Sequence, residues 1–266
     1  MPELPNNELP NYRTPPIDEV ACGCRFAALD LMRMPHFGSF WDRCRKEFPT
    51  VEHTVPLIDE GEAATCDTAT GLPLPRVWFI DATESNLIQL QTDRIYFNWR
   101  KRAGAADYPR YPSVVKNFAD RYRMLAEVAN QFNLGPLEPK VLDLSYINVF
   151  PRGEAWSELA DLQKIFPSFA WHRSADSFLP PPQGLAFQAD YVLPNGQGKL
   201  TVKLTPGKRR ADNAEVYSFN LSAKGIGEDT SLEGMMGWFD MAREHIVRGF
   251  SELTDPEIQL EKWGRK

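Results

Sequence analysis

Gln89, Gln91, Tyr96, Asn98 and Arg100 come nearest in type and spacing to a recognition surface. They lie in the segment LIQLQTDRIYFNWRK, residues 87–101. Its apolar residues sit at even positions (Ile88, Leu90) and then at odd ones (Ile95, Phe97, Trp99). A two-residue alternation changes phase only at a turn or a bulge. A hairpin looping at Asp93-Arg94 sets Thr92 opposite Ile95, Leu90 opposite Phe97 and Ile88 opposite Trp99 on one apolar face. The other face then pairs Gln91 with Tyr96, Gln89 with Asn98 and Leu87 with Arg100. Amides, a phenol and a guanidinium hold donors and acceptors at modest entropic cost, and Tyr and Arg are favoured at protein interfaces. The chemistry expected of this exposed sheet face is binding.

Catalytic patterns are harder to find. The chain carries no GxxxxGK[ST], HExxH or GxSxG, and Gly225-Ile226-Gly227 lacks the third glycine of a dinucleotide loop. The four histidines read as structural: His36 near a helix start, His53 on a strand, His172 in a loop and His245 at the edge of a helical stripe. Cys22 and Cys24 are two apart on one strand, a poor disulfide geometry, and CxxC spacing is missing. With Cys44 and Cys66 they are read as buried structural thiols. No catalytic residue, metal ligand or cofactor is assigned. Two basic clusters, Arg100-Lys101-Arg102 with Arg110, and Lys208-Arg209-Arg210, could touch phosphates. Trp99 falls on the apolar face of the hairpin, however, which removes the ring on which a base would stack.

Composition narrows the class further. The 266 residues are 42% hydrophobic and 25% charged, as in folded proteins, with a formal net charge of -6. An acidic balance disfavours a chain whose main task is coating nucleic acid. No apolar run reaches the roughly 18 residues that span a bilayer, and the first residues carry no secretory pattern, so a cytoplasmic protein is expected.

The elements that must position these residues follow from periodicity. Residues 1–17 form an extended Pro-rich arm. Strands are expected at 19–28, 51–57 and 76–81, with a helix at 36–48 between the first two. A long acidic connection, 58–75, carries Asp59, Glu60, Glu62 and Asp67. Past the hairpin, Val115, Phe118, Tyr122, Leu125, Ala129 and Phe132 draw one helical stripe, ended by Gly135-Pro136. The order then repeats: a strand at 141–150, a short helix at 155–166, strands at 185–193, 199–204 and 215–223, and a last helix from 231 to 253. Asn195-Gly196-Gln197-Gly198 joins two of these strands as a hairpin. Two halves, 18–136 and 137–266, each written strand–helix–antiparallel strands–long helix, would fuse into one globular unit. The expected fold class is α+β, a curved antiparallel sheet with helices on one face, TATA-binding-protein-like by analogy.

LPNYRTPPIDEVACGCRF, QLQTDRIYFNWRK, YPRY, LDLSYINVF, LSAKG, WFDMAREHIVRGF and the closing WGR touch nearly the whole chain. In these segments the chain resembles a sporadically distributed prokaryotic family of about 250–270 residues, marked by an FNW hairpin and a C-terminal WGR tail. The resemblance implies a compact α+β protein and supplies no catalytic residues. The leading expectation is a non-enzymatic interaction module that contacts another protein, as an antitoxin, immunity or defence-associated component would. The alternative is a small-molecule sensor with a pocket between the halves, and the third reading is nucleic-acid binding.

Overall fold

The computed structural model describes residues 8–59, 66–67, 70–104, 107–169, 174, 176–209 and 212–266. His172, Arg210, Glu60 and Glu62 lie outside the described residues.

Alternation in the sequence becomes a nine-stranded antiparallel sheet in the order β2-β3-β4-β5-β1-β6-β9-β8-β7. The strands are β1 (Ile17–Phe26), β2 (Thr50–Thr54), β3 (Arg76–Ile80), β4 (Asn86–Leu90), β5 (Arg94–Arg100), β6 (Pro139–Pro151), β7 (Phe187–Val192), β8 (Gly198–Lys208) and β9 (Glu215–Gly225). β1 and β6 pair at the centre, Cys22 opposite Leu144. Each is followed by a connection to one sheet edge, from which the later strands return inward until β5 lies beside β1 and β9 beside β6. This is an α+β architecture built around a curved sheet.

Even-numbered residues of β1 (Val20, Cys22, Cys24, Phe26) and odd-numbered residues of β5 (Ile95, Phe97, Trp99) are buried on one side of the sheet. α1 (Met34–Cys44), α2 (Tyr111–Gln131) and α4 (Leu232–Leu253) cover that side and share one apolar core with it. α1 packs on the edge strands through Phe40 and Phe79, whose ring centroids are 5.6 Å apart. Ser231 caps α4 by accepting from the Gly234 amide at 3.2 Å.

Several expectations need correction. The hairpin turns at Thr92-Asp93, so Leu90 faces Ile95, Ile88 faces Phe97 and Gln89 faces Tyr96. Gln91 N donates to Arg94 O at 2.9 Å and closes the turn. The Phe26 and Leu29 amides, arriving from the end of β1, bond to the Asp93 and Thr92 carbonyls at 2.8 and 2.9 Å. Those long-range bonds fix a register that local sequence does not show. A slip of two residues keeps every side chain on its predicted face.

On α2 the buried stripe includes Val114 and Val128, whereas Val115 is half-buried and Phe132 is 38% exposed. A 3-4-3-4 spacing tracks 3.5 residues per turn, and over five turns a straight helix drifts off it at both ends. The helix expected at 155–166 starts later. The Asp161 carboxylate accepts from the Ser157 and Glu158 amides at 2.9 and 3.0 Å. Only a 3₁₀ turn, Leu159–Asp161, and α3 (Leu162–Ile165) form before Pro167. A further helix, α5 (Pro256–Glu261), follows α4 and was not anticipated.

Candidate functional site

The open sheet face carries the predicted recognition row, but its amides are already engaged within the protein, while Arg76 Nε, Trp78 Nε1 and Arg100 Nε have no hydrogen-bond partner among the described residues. Gln89, Gln91 and Asn98 are 9%, 5% and 3% exposed, which corrects their reading as an exposed surface. Arg76 Nη1 donates to Gln89 Oε1 at 2.9 Å, Gln89 Nε2 to Asn98 Oδ1 at 2.8 Å, and Asn98 Nδ2 to Glu19 Oε1 at 2.5 Å. Gln91 exchanges hydrogen bonds with the Leu57 backbone, which crosses the face after β2. Arg76 and Arg100 flank the Trp78 ring at 5.3 and 5.8 Å. Arg25 and Arg94 both pair with Asp59. Burial pushes the Glu19 carboxyl above its ordinary range, against the Asn98 hydrogen bond.

Tyr96 and Arg100 remain half-buried. The Tyr96 ring lies across Gly23 on the neighbouring strand, where no side chain has room. Its hydroxyl donates to Asp143 at 3.5 Å, and Asp143 also accepts from Ser145 at 2.8 Å. Arg76, Glu19 and the Leu57 backbone thus satisfy the shorter amides. The row holds the sheet together more than it offers groups to a partner.

In the basic clusters Arg100 donates to Glu84 O and Arg110 to Tyr12 O. Trp99 is 4% exposed, on the core side as its register requires, and Arg209 pairs with Asp212 at 2.6 Å. Cys22, Cys24 and Cys44 are buried, and burial holds the Cys24 thiol up at about 12 and Cys44 at about 11. Cys66 is exposed, which corrects its reading as a buried thiol. His36 Nδ1 accepts the Arg33 amide at 2.8 Å at the start of α1, and His245 Nδ1 lies 2.8 Å from the Met241 carbonyl. Among the described residues, no group of three His, Cys, Asp or Glu side chains converges as a metal centre needs.

The helix side holds the more suggestive geometry. α2 and α4 touch where Phe118 meets Phe239, ring centroids 5.2 Å apart. Towards the start of α2 they are bridged once more, by Tyr111 Oη donating to Asp240 Oδ1 at 2.7 Å. Beyond that bridge lies a cavity of about 620 Å³ over the centre of the sheet. Its inner polar wall includes Tyr108, Arg110, Tyr111, Tyr146, Asn148 and Arg243, and the arm adds Glu8, Asn11 and Tyr12. Both halves of the chain contribute to it.

Tyr146 and Asn148 are alternate residues of β6 and so point the same way. Arg243, Ile246, Val247 and Phe250 recur at helical spacing and form one face of α4. Tyr108 and Tyr146 share a hydroxyl–hydroxyl hydrogen bond of 3.2 Å. Burial raises both phenols, Tyr108 to about 12 and Tyr146 well above its usual value, so both stay protonated near neutrality. Asn148 is 2% exposed and donates from Nδ2 to Phe219 O at 3.1 Å.

The Pro-rich arm forms the outer wall through residues 8–12 and Pro15. It is strapped down by the tail: Arg13 N donates to Gly264 O at 3.2 Å, Thr14 N to Trp263 O at 3.1 Å and Lys266 N to Asn11 O at 2.9 Å. Arg110 Nη1 adds a bond to Tyr12 O at 2.9 Å, from a residue held at φ 72°. A non-glycine residue in that region is strained by about 1 kcal/mol or more, and such residues concentrate at ligand clamps and switches. Beneath the strap Gln259, fully buried, accepts from Tyr12 and Arg265 and donates to Ser251 O and Thr254 O.

None of the cavity's polar residues except Arg110 was singled out from sequence. A signal was present, because Asn148 breaks the apolar column Leu142, Leu144, Tyr146, Phe150 at a core-facing position. No helix is long and apolar enough to cross a membrane among the described residues. No family model, no curated protein and no solved structure matches this chain.

Proposed function

We propose that this chain is a small-molecule-binding protein whose ligand occupies the cavity between α2, α4 and the central strands. The observation that carries the reading is the cavity itself, about 620 Å³ over the central strands, with convergent phenol, amide and guanidinium groups and one carboxylate on a mostly apolar wall. Ligand sites are typically concave, about 300–1,000 Å³, mostly apolar and supplied with a few fixed polar groups. The central position gives a bound molecule contacts with both halves, which suits a sensor better than a catalyst. The open-face row supports protein docking less well, since its amides are spent inside the protein.

Thermal-shift screening against a metabolite library tests this. A ligand at a hundredfold excess over its Kd stabilises by about 2.7 kcal/mol. At roughly 2–4 °C per kcal/mol, that raises the midpoint by about 5–10 °C. Val247→Trp, which fills the cavity from a half-buried position on α4, should abolish the shift while leaving the unliganded midpoint close to wild type. A stabilising compound that is indifferent to Val247→Trp would overturn the proposal.

A further inference from the structure

We infer that the ligand is an apolar or aromatic organic anion whose single acidic group is held by Arg243. The inference rests on the cavity being a ligand site. Arg243 is half-buried on α4, and its guanidinium sits over the Tyr111 ring, 4.7 Å from the centroid. Among the described residues no carboxylate lies within ion-pair distance of it. The acidic residues on either side along α4 are engaged elsewhere: Asp240 accepts from Tyr111 at 2.7 Å, and Glu244 pairs with Arg248 at 2.8 Å. A half-buried cation stacked on a ring and lacking a carboxylate is poorly compensated, and a planar guanidinium matches a carboxylate, sulfonate or phosphate.

The remaining charges at the cavity do not change its sign. Arg110 is a second cation whose Nη1 is directed to the Tyr12 carbonyl, and Glu8 on the arm is the one carboxylate lining the cavity among the described residues. Tyr108 donates its hydroxyl to Tyr146, which leaves the Tyr146 hydroxyl proton, beside Arg243, to donate to an anion. Ile17, Leu221, Val247 and Phe250 supply the apolar wall for the rest of the molecule. One unpaired guanidinium suits one acidic group; a polyphosphate would be under-neutralised here.

A matched pair of probes separates this inference from the reading beneath it. Anilinonaphthalene sulfonate and uncharged phenylnaphthylamine have nearly the same shape and differ by the anionic group. The sulfonate should bind one equivalent, at least tenfold tighter than the neutral probe. Arg243→Met, which keeps the length of the side chain and removes its charge, should weaken the sulfonate by about 10- to 100-fold and leave the neutral probe unchanged. Val247→Trp should abolish both. Equal binding of the two probes, with both lost in Val247→Trp, would overturn the anion inference and leave the cavity reading standing. If neither probe binds, or neither responds to Val247→Trp, both readings fall.

Discussion

Replacing Gln259 by Leu should loosen the strap over the cavity and lower global stability together. The carboxamide lies within hydrogen-bond distance of six groups, shared among its two N–H donors and two lone pairs: Oε1 faces Tyr12, Ser251 and Arg265 as donors, and Nε2 faces Ser251 O, Thr254 O and Thr254 Oγ1 as acceptors. Ser251 and Arg265 are half-buried and can turn to water in the variant. Tyr12 and Thr254, 7% and 1% exposed, cannot. Two buried polar groups therefore lose partners, each at a cost of about 1–3 kcal/mol, so a loss of roughly 2–6 kcal/mol is expected. At roughly 2–4 °C per kcal/mol the unfolding midpoint should fall by at least about 4 °C. Hydrogen exchange should rise first at the Arg13, Thr14 and Lys266 amides, which hold the arm to the tail. Ligand dissociation should quicken in the same variant because the arm forms one wall of the cavity. A midpoint within a degree of wild type, with exchange unchanged at those three amides, would refute this reasoning.

Gly23→Ala should cost about 1–3 kcal/mol, because the new Cβ would overlap three Tyr96 ring carbons, the Cγ among them at 2.5 Å. Urea titration should show most of that loss restored in the Gly23→Ala/Tyr96→Ala double variant, and simple additivity would contradict the contact. Glu19→Gln tests the polar face by its pH dependence. A carboxyl whose native pKa is raised by burial makes the native state bind protons more readily than the unfolded chain, so stability falls as pH rises from the ordinary carboxylate range through the raised value. The variant should therefore be more stable than wild type near pH 7 and lose that advantage below about pH 4; a constant difference across the range would contradict the burial term. Iodoacetamide should label the native protein once, at Cys66, and four times in denaturant, since the other three thiols are buried. Rapid native labelling at Cys22 or Cys24, read by mass spectrometry, would contradict the central strand pairing.

Period-2 and helical patterns made the sheet and the two long helices legible, because those elements bury one face each and the face writes itself into the sequence. The assignment of Ile95, Phe97 and Trp99 to the core follows directly from it. The turn at Thr92-Asp93 was not legible, since the bonds that set it come from Phe26 and Leu29, some 65 residues earlier. The exposure of Gln89, Gln91 and Asn98 was misjudged for a related reason. Whether a polar row faces water depends on what crosses it, and the Leu57 backbone together with Arg76 and Glu19 comes from three other segments. The cavity escaped because its residues lie on the arm, β6, α2 and α4, far apart in sequence. Asn148 alone left a local trace, as a buried amide in an apolar column.

A crystal structure with the most strongly stabilising compound tests the central claim most directly. It should show the molecule between Tyr146, Asn148 and Arg243, with its acidic group on the guanidinium and the arm closed over it. The same compound seated on the open sheet face, with the space between α2 and α4 left to solvent, would contradict the account.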